Sequence, residues 1–271
     1  MRRERIVVVL LLLPTVFWLV AVGGWMYNLV ITFILTLAAL EYGRLFHSAG
    51  LHPALPVMAA GTAVIALARG LFPNLCSPLF TALILITMIW HLVDYERGTQ
   101  TSGTDFAISL SGLVYVGWIG SYLISLRSLE NGQWWLLLVL ASTWMADSAA
   151  YMVGSRWGKH HLAPRLSPNK TWEGYLAGVV TGTILGSVFA MLWRIGAGSD
   201  SLISWSSGAL MGFILSVLCT LGDLGISMFK RQLAVKDTGH PLPGHGGALD
   251  RIDTWIWAAA LGQAVVWVLG G

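Results

Sequence analysis

Residues 133–153 read QWWLLLVLASTWMADSAAYMV. These twenty-one residues contain one acid, Asp147, and no base. A helix needs about 20 predominantly apolar residues to cross a bilayer, so this stretch is long enough. Runs of the same kind recur along the chain. Of its 271 residues 56% are hydrophobic, and only 11% are Asp, Glu, Lys or Arg. A soluble domain carries about 25% charged residues. The mean hydropathy of +0.70 agrees. This composition excludes a soluble enzyme, a disordered chain and a nucleic-acid binder with an exposed basic face. The reading is an all-α, polytopic membrane protein with no nucleic-acid partner.

Extended over the whole chain, the same criterion gives about nine spans, near 6–22, 25–41, 54–69, 75–93, 106–126, 133–153, 174–193, 205–226 and 252–269. The third is short, and the fourth opens after Pro73 and contains Pro78. The first follows Met1-Arg2-Arg3-Glu4-Arg5. It is too long for a signal-peptide core and lacks a small-residue cleavage pattern, so it reads as a span. Glu41, closing the second span, reads as a rim residue. Five spans fill an N-terminal part, 1–132. The remainder, 133–271, carries two polar loops, 154–173 and 227–253.

Charge placement tests the count. With the N-terminus inside, thirteen Lys and Arg residues fall on the cytoplasmic side, and only Arg69, Arg127 and Arg194 fall opposite. That is the positive-inside pattern, and nine spans then place the C-terminus outside. Trp134, Trp135, Trp193 and Trp205 fall at outer rims, where indoles anchor at the interface. Cys76 and Cys219 sit in apolar surroundings and read as small core residues.

The two polar loops differ from the rest. Residues 154–173 read GSRWGKHHLAPRLSPNKTWE, and residues 227–253 read SMFKRQLAVKDTGHPLPGHGGALDRID. Topology alone accounts for their Lys and Arg, but not for the glycines, prolines and aspartates. Gly244, Gly246 and Gly247 permit positive φ or close approach to a ligand, as phosphate-binding loops require, although a plain connecting loop also uses them. Asp147 and Asp223 lie within apolar runs. An ionised carboxylate facing lipid is expensive and normally faces a bundle interior with a partner. Taken alone, either acid also fits an ion pair or a proton relay. Together with Asp250 and Asp253, beside clustered cations, they supply what a Mg²⁺-nucleotide needs: hard oxygen ligands and positive charge for the remaining phosphates. No P-loop, H-E-x-x-H or G-x-S-x-G occurs. His240 and His245, five residues apart with no thiols, make a poor metal pair.

These residues resemble those of the bacterial CDP-diacylglycerol synthases (phosphatidate cytidylyltransferases). The matching positions are Ser227, Lys230-Arg231, Lys236-Asp237, Pro243-x-His245-Gly246-Gly247 and Asp250-Arg251-x-Asp253. Upstream, Trp144-x-x-Asp147-x-x-Ala150-Tyr151, Gly158-Lys159-His160, Ser167-Pro168-x-Lys170-Thr171-x-Glu173-Gly174 and Gly222-Asp223 agree as well. The likeness runs from near residue 140 onward. Ala248 departs from it, standing where the family has a larger aliphatic.

The resemblance implies cytidylyl transfer from CTP to phosphatidate at the cytoplasmic face of the cell membrane, giving CDP-diacylglycerol and pyrophosphate. It also implies Mg²⁺ held by Asp223 and Asp250, a second monovalent cation such as K⁺, and a homodimer in the lipid bilayer. Lys230, Arg231, Arg251, Asp147 and Asp253 are the further candidate catalytic residues. Lys159, Ser167, Lys170, Lys236, Asp237, His245, Gly246 and Gly247 are candidates for substrate contact. Two other readings stay open at this point: an ion path lined by Asp147 and Asp223, and a CTP-dependent lipid kinase, which would release CDP in place of pyrophosphate.

Overall fold

The computed structural model describes residues 14–239 and 246–270. Long helices account for nearly all of it. Residues 14–22 form α1, and Gly23 and Gly24, both at φ 61°, break the chain before α2 (Gly24–His47). There follow α3 (Leu55–Leu71), α4 (Cys76–Glu96), α5 (Ser102–Gly112), a π-helical stretch (Leu113–Ile119), α6 (Tyr122–Ser128) and α7 (Gly132–Trp157). A short antiparallel hairpin, β1 (His161–Ala163) and β2 (Ser167–Thr171), precedes α8 (Trp172–Ala197). Then come α9 (Trp205–Leu218), α10 (Thr220–Gln232) and α11 (Leu249–Val268).

Six stretches among the described residues are long and apolar enough to cross a membrane: Gly24–His47, Pro73–Glu96, Ser102–Ser128, Gly132–Trp157, Trp172–Ala197 and Trp205–Gln232. The all-α membrane architecture is therefore plain. Leu55–Leu71 is apolar but shorter, at 17 residues, and the first expected span lies partly outside the described residues.

Two differences from the expected boundaries matter for the site. Helix α2 continues to His47, so Glu41 is a helix-interior residue only 6% exposed and not a rim acid. Tyr42, Leu45 and Phe46 extend the buried face of α2 past it, which is why the helix does not stop there. Helix α10 continues to Gln232, which places Ser227, Lys230 and Arg231 on a helix. Asp223, Ser227 and Lys230 then lie along one face by their four- and three-residue spacing.

The chain forms two compact units, each discontinuous in sequence: Met1–Ser125 with Gln232–Ile252, and Leu126–Arg231 with Asp253–Gly271. In the first, Tyr27, Leu35, Tyr42, Met58, Ile65, Leu113 and Ile124 are fully buried. Its buried polar groups find partners: Tyr42 Oη meets Ser111 Oγ at 2.7 Å, and Asp105 accepts the His52 N–H at 2.7 Å. In the second unit, Gly174, Gly178, Gly182, Gly186 and Ala190 recur every fourth residue along α8. They let α8 approach α7 and α9 closely. A Cβ on Gly186 would stand 2.6 Å from the Gly208 carbonyl oxygen and 3.1 Å from Gly212 Cα. Small residues at such crossings allow the backbone packing that holds membrane helices together without a hydrophobic driving force. The opposite face of α8, with Leu176, Val180, Ile184 and Val188, is exposed and suited to lipid.

Candidate functional site

Polar residues gather in both units. In the second unit, Asp223 on α10 pairs with Lys170 on β2, Nζ to Oδ2 2.7 Å. Asp147 on α7 lies within electrostatic reach of both of them. Asp253 lies within reach of Asp223 and Lys230, and its Oδ1 accepts the Thr254 N–H at 2.6 Å. Three carboxylates thus share a field with two lysines. Asp147 is exposed, although the helix around it is otherwise apolar. It also borders a small cavity lined by Thr143, Tyr175, Ser216 and Cys219.

The hairpin that delivers Lys170 is held at several points. Glu173 accepts the Lys159 N–H at 3.1 Å, and its Oε1 lies 2.6 Å from His160 Nδ1. Thr171 caps α8 by accepting the Gly174 N–H at 3.2 Å. Arg231 Nε donates to the Leu166 carbonyl at 3.2 Å, joining α10 to the hairpin turn. Gly158 fits closely here, because a Cβ on it would stand 2.6 Å from Thr171 Oγ1.

In the first unit, Asp250 opens α11. Its Oδ2 accepts the Thr238 N–H (2.8 Å), the Thr238 hydroxyl (3.0 Å) and the Gly247 N–H (3.1 Å). Three donor groups thus converge on one oxygen. Gly246 adopts φ 73°, a left-handed conformation that glycine tolerates without cost. A Cβ on it would stand 3.1 Å from Asp250 Oδ2 and 3.5 Å from Asp237 Oδ1. Lys236, Asp237 and Arg251 are exposed around this segment.

The structure therefore brings Asp147, Lys170, Asp223, Lys230 and Asp253 together in one unit, with Arg231 and Lys159 on the adjoining hairpin supports. Asp237, Gly246, Gly247 and Asp250 come together in the other. Ser167 opens β2, paired with Ala163. His245 lies outside the described residues. The sequence reading missed Thr238 and Glu41, both buried against this loop. The signal for Glu41 was an acid inside an apolar run, the same signal that singled out Asp147.

A known family matches over nearly the whole length: the cytidylyltransferase profile matches residues 3–269. The chain belongs to the cytidylyltransferase family. Among its relatives, the phosphatidate cytidylyltransferase of Synechocystis sp. is 31% identical over 96% of this chain and 95% of its own length. That of Pseudomonas aeruginosa is 32% identical over 100% of this chain and 98% of its own length. That of Bacillus subtilis is 38% identical over 66% of this chain and 63% of its own length.

A cytidylyltransferase acts on phosphate groups, which raises the question of a metal. Among the described residues, no three His, Cys, Asp or Glu side chains form a ready-made cage. Mg²⁺ needs none: it keeps several waters and binds through one or two carboxylates plus substrate phosphates. The donor set here, hard carboxylate oxygens next to lysines, fits that habit.

Proposed function

We propose that this chain transfers the cytidylyl group of CTP to phosphatidate, giving CDP-diacylglycerol and pyrophosphate. Its membership of the family along its full length, beside relatives bearing that name, carries the reading. A phosphatidate oxygen attacks the α-phosphorus of CTP in line. The new O–P bond forms as the bond to the β-phosphate bridge oxygen breaks, and that oxygen leaves with the electron pair as pyrophosphate. The nucleophile is already an anion, so the work is positioning and charge neutralisation, with no strong general base.

Lys230, Arg231, Lys236 and Arg251, with Lys159, supply cations for the phosphates. Lys170 holds Asp223 in place through their ion pair. Asp223 and Asp250 would be the ligands for Mg²⁺, which would supply positive charge to the nucleotide phosphates. A monovalent cation such as K⁺ and a homodimeric state belong to the same reading. So does the arrangement of nine spans in the cell membrane, with the N-terminus and the two motif loops on the cytoplasmic side. CTP then arrives from water while phosphatidate keeps its acyl chains in the leaflet.

The test is to incubate the purified full-length protein with labelled CTP, phosphatidate and Mg²⁺ and identify both products. CDP-diacylglycerol with pyrophosphate is expected, whereas release of CDP would make the chain a lipid kinase. Asp223→Asn removes an anionic oxygen at nearly constant shape. It should lower kcat by at least about a hundredfold, or about 2.7 kcal/mol, while the protein stays folded in micelles. Near-wild-type turnover would move the metal site elsewhere.

A further inference from the structure

Glu41 brings a carboxylate into the apolar interior of the first unit, and neither phosphate binding nor metal binding accounts for it. Its Oε1 accepts the Ala248 N–H at 2.8 Å, and its Oε2 accepts the Leu249 N–H at 2.9 Å. Those donors sit at the start of α11, where backbone N–H groups have no partner within the helix. Glu41 therefore caps α11 from a different helix and places negative charge at the positive end of its dipole. Its Oε2 also lies 3.2 Å from the Thr238 hydroxyl.

Thr238 faces the other way too. Its N–H and its hydroxyl both reach Asp250 Oδ2, at 2.8 and 3.0 Å. A hydroxyl has one proton, so Thr238 Oγ1 shares it between the two carboxylates, while its N–H stays with Asp250. Gly239 and Gly247 are packed against the Glu41 carboxylate. A Cβ on Gly239 would stand 2.9 Å from Glu41 Cδ and Oε1. A Cβ on Gly247 would stand 2.9 Å from Glu41 Cδ and closer still to Glu41 Oε2 and the Thr238 hydroxyl. The room that a side chain on either glycine would need is taken by Glu41 and Thr238.

We propose that Glu41 is the positioning residue of the signature loop: it fixes the start of α11 and, through Thr238, the carboxylate of Asp250. The role of Asp250 in turnover rests on the cytidylyltransferase reading above, whereas the fixing of the loop does not. Glu41→Gln keeps the size but turns one acceptor into a donor, which then faces another donor. It also removes the charge at the helix end. Thr238→Val keeps the shape and removes the shared proton, and Thr238→Ser keeps the proton.

Two readouts on the full chain separate the ideas. The first is kcat and KM for CTP, normalised to folded protein. Glu41→Gln and Thr238→Val should each lower kcat at least about tenfold with KM changed less than about threefold, and Thr238→Ser should restore kcat to within about threefold. The second is trypsin cleavage after exposed Lys236, measured without CTP, phosphatidate or Mg²⁺. It should be about fivefold or more faster in Glu41→Gln and Thr238→Val than in the wild type and Thr238→Ser, because opening of the loop sets the rate. Should Glu41→Gln fail to fold, the Thr238 pair decides. Equal kcat and equal protection for Thr238→Val and Thr238→Ser would overturn the proposal. An inactive wild type would overturn the catalytic reading instead, leaving protection as the test of the loop.

Discussion

Replacing Gly212 with alanine tests how closely α8 and α9 must approach. A Cβ there would stand 2.9 Å from the Gly182 carbonyl carbon and 3.2 Å from Thr183 Cα, with the Gly182 oxygen nearer still. All three are backbone atoms of α8, so no rotamer change clears them. Carbon atoms prefer about 3.5–4.0 Å, so the carbon contacts alone part the helices by roughly 0.5–1 Å, and the nearer oxygen demands more. Overpacking a close-packed interior costs about 1–3 kcal/mol. Relief of glycine's backbone entropy returns about 0.5–1 kcal/mol. The net expectation is a loss of up to about 2.5 kcal/mol. Gly225 on α10 is the control: a Cβ there meets nothing within 4 Å, so Gly225→Ala keeps only the gain. The gain is common to both, so the two variants should differ by the overpacking cost, about 1–3 kcal/mol. The assay is equilibrium unfolding in mixed micelles as the SDS fraction rises, followed by tryptophan fluorescence. A Gly212→Ala protein as stable as Gly225→Ala would refute the close-approach argument.

Two further outcomes are expected. Arg251→Lys should lower kcat/KM by at least about tenfold, because a planar bidentate fork and a point charge are not equivalent on phosphate. Arg97→Lys, beyond the signature loops, should leave it unchanged, and equal rates for the two variants would make Arg251 a topology charge. A reporter fused at the N-terminus should be cytoplasmic and one at the C-terminus external, as an odd span count requires. A cytoplasmic C-terminal reporter would overturn nine spans.

The apolar runs were legible because a bilayer imposes one length scale on every helix that crosses it. Residues 133–153 duly lie inside α7. Helix ends were harder, since hydropathy stops at the first polar residue whether or not the helix does. Asp223, Ser227, Lys230 and Arg231 ride on one helix that simply leaves the apolar regime. The hairpin around Lys170 was invisible: its strands are three and five residues long, with Pro164 between them and Pro168 inside the second, so no alternation signals them. The signature acids were legible from chemistry and spacing. The environment of Glu41 was not, because nothing near it in sequence tells of its partners, which come 207 and 208 residues later.

That separation bears on how the protein is made. A ribosome adds about 5–20 residues per second, so Glu41 emerges roughly 10–40 s before the amides that satisfy it. During that interval the early helices carry an acid with no α11 to cap, and its oxygens need water or other donors as partners. Each compact unit is also interrupted by the other, with the first requiring Gln232–Ile252 and the second requiring residues on both sides of that insert. The first is complete only once Ile252 has been made, and the second only once the residues from Asp253 onward follow. Cutting the gene between residues 125 and 126 would not yield two independent pieces. The order of translation makes α11 the element that contributes late residues to both units.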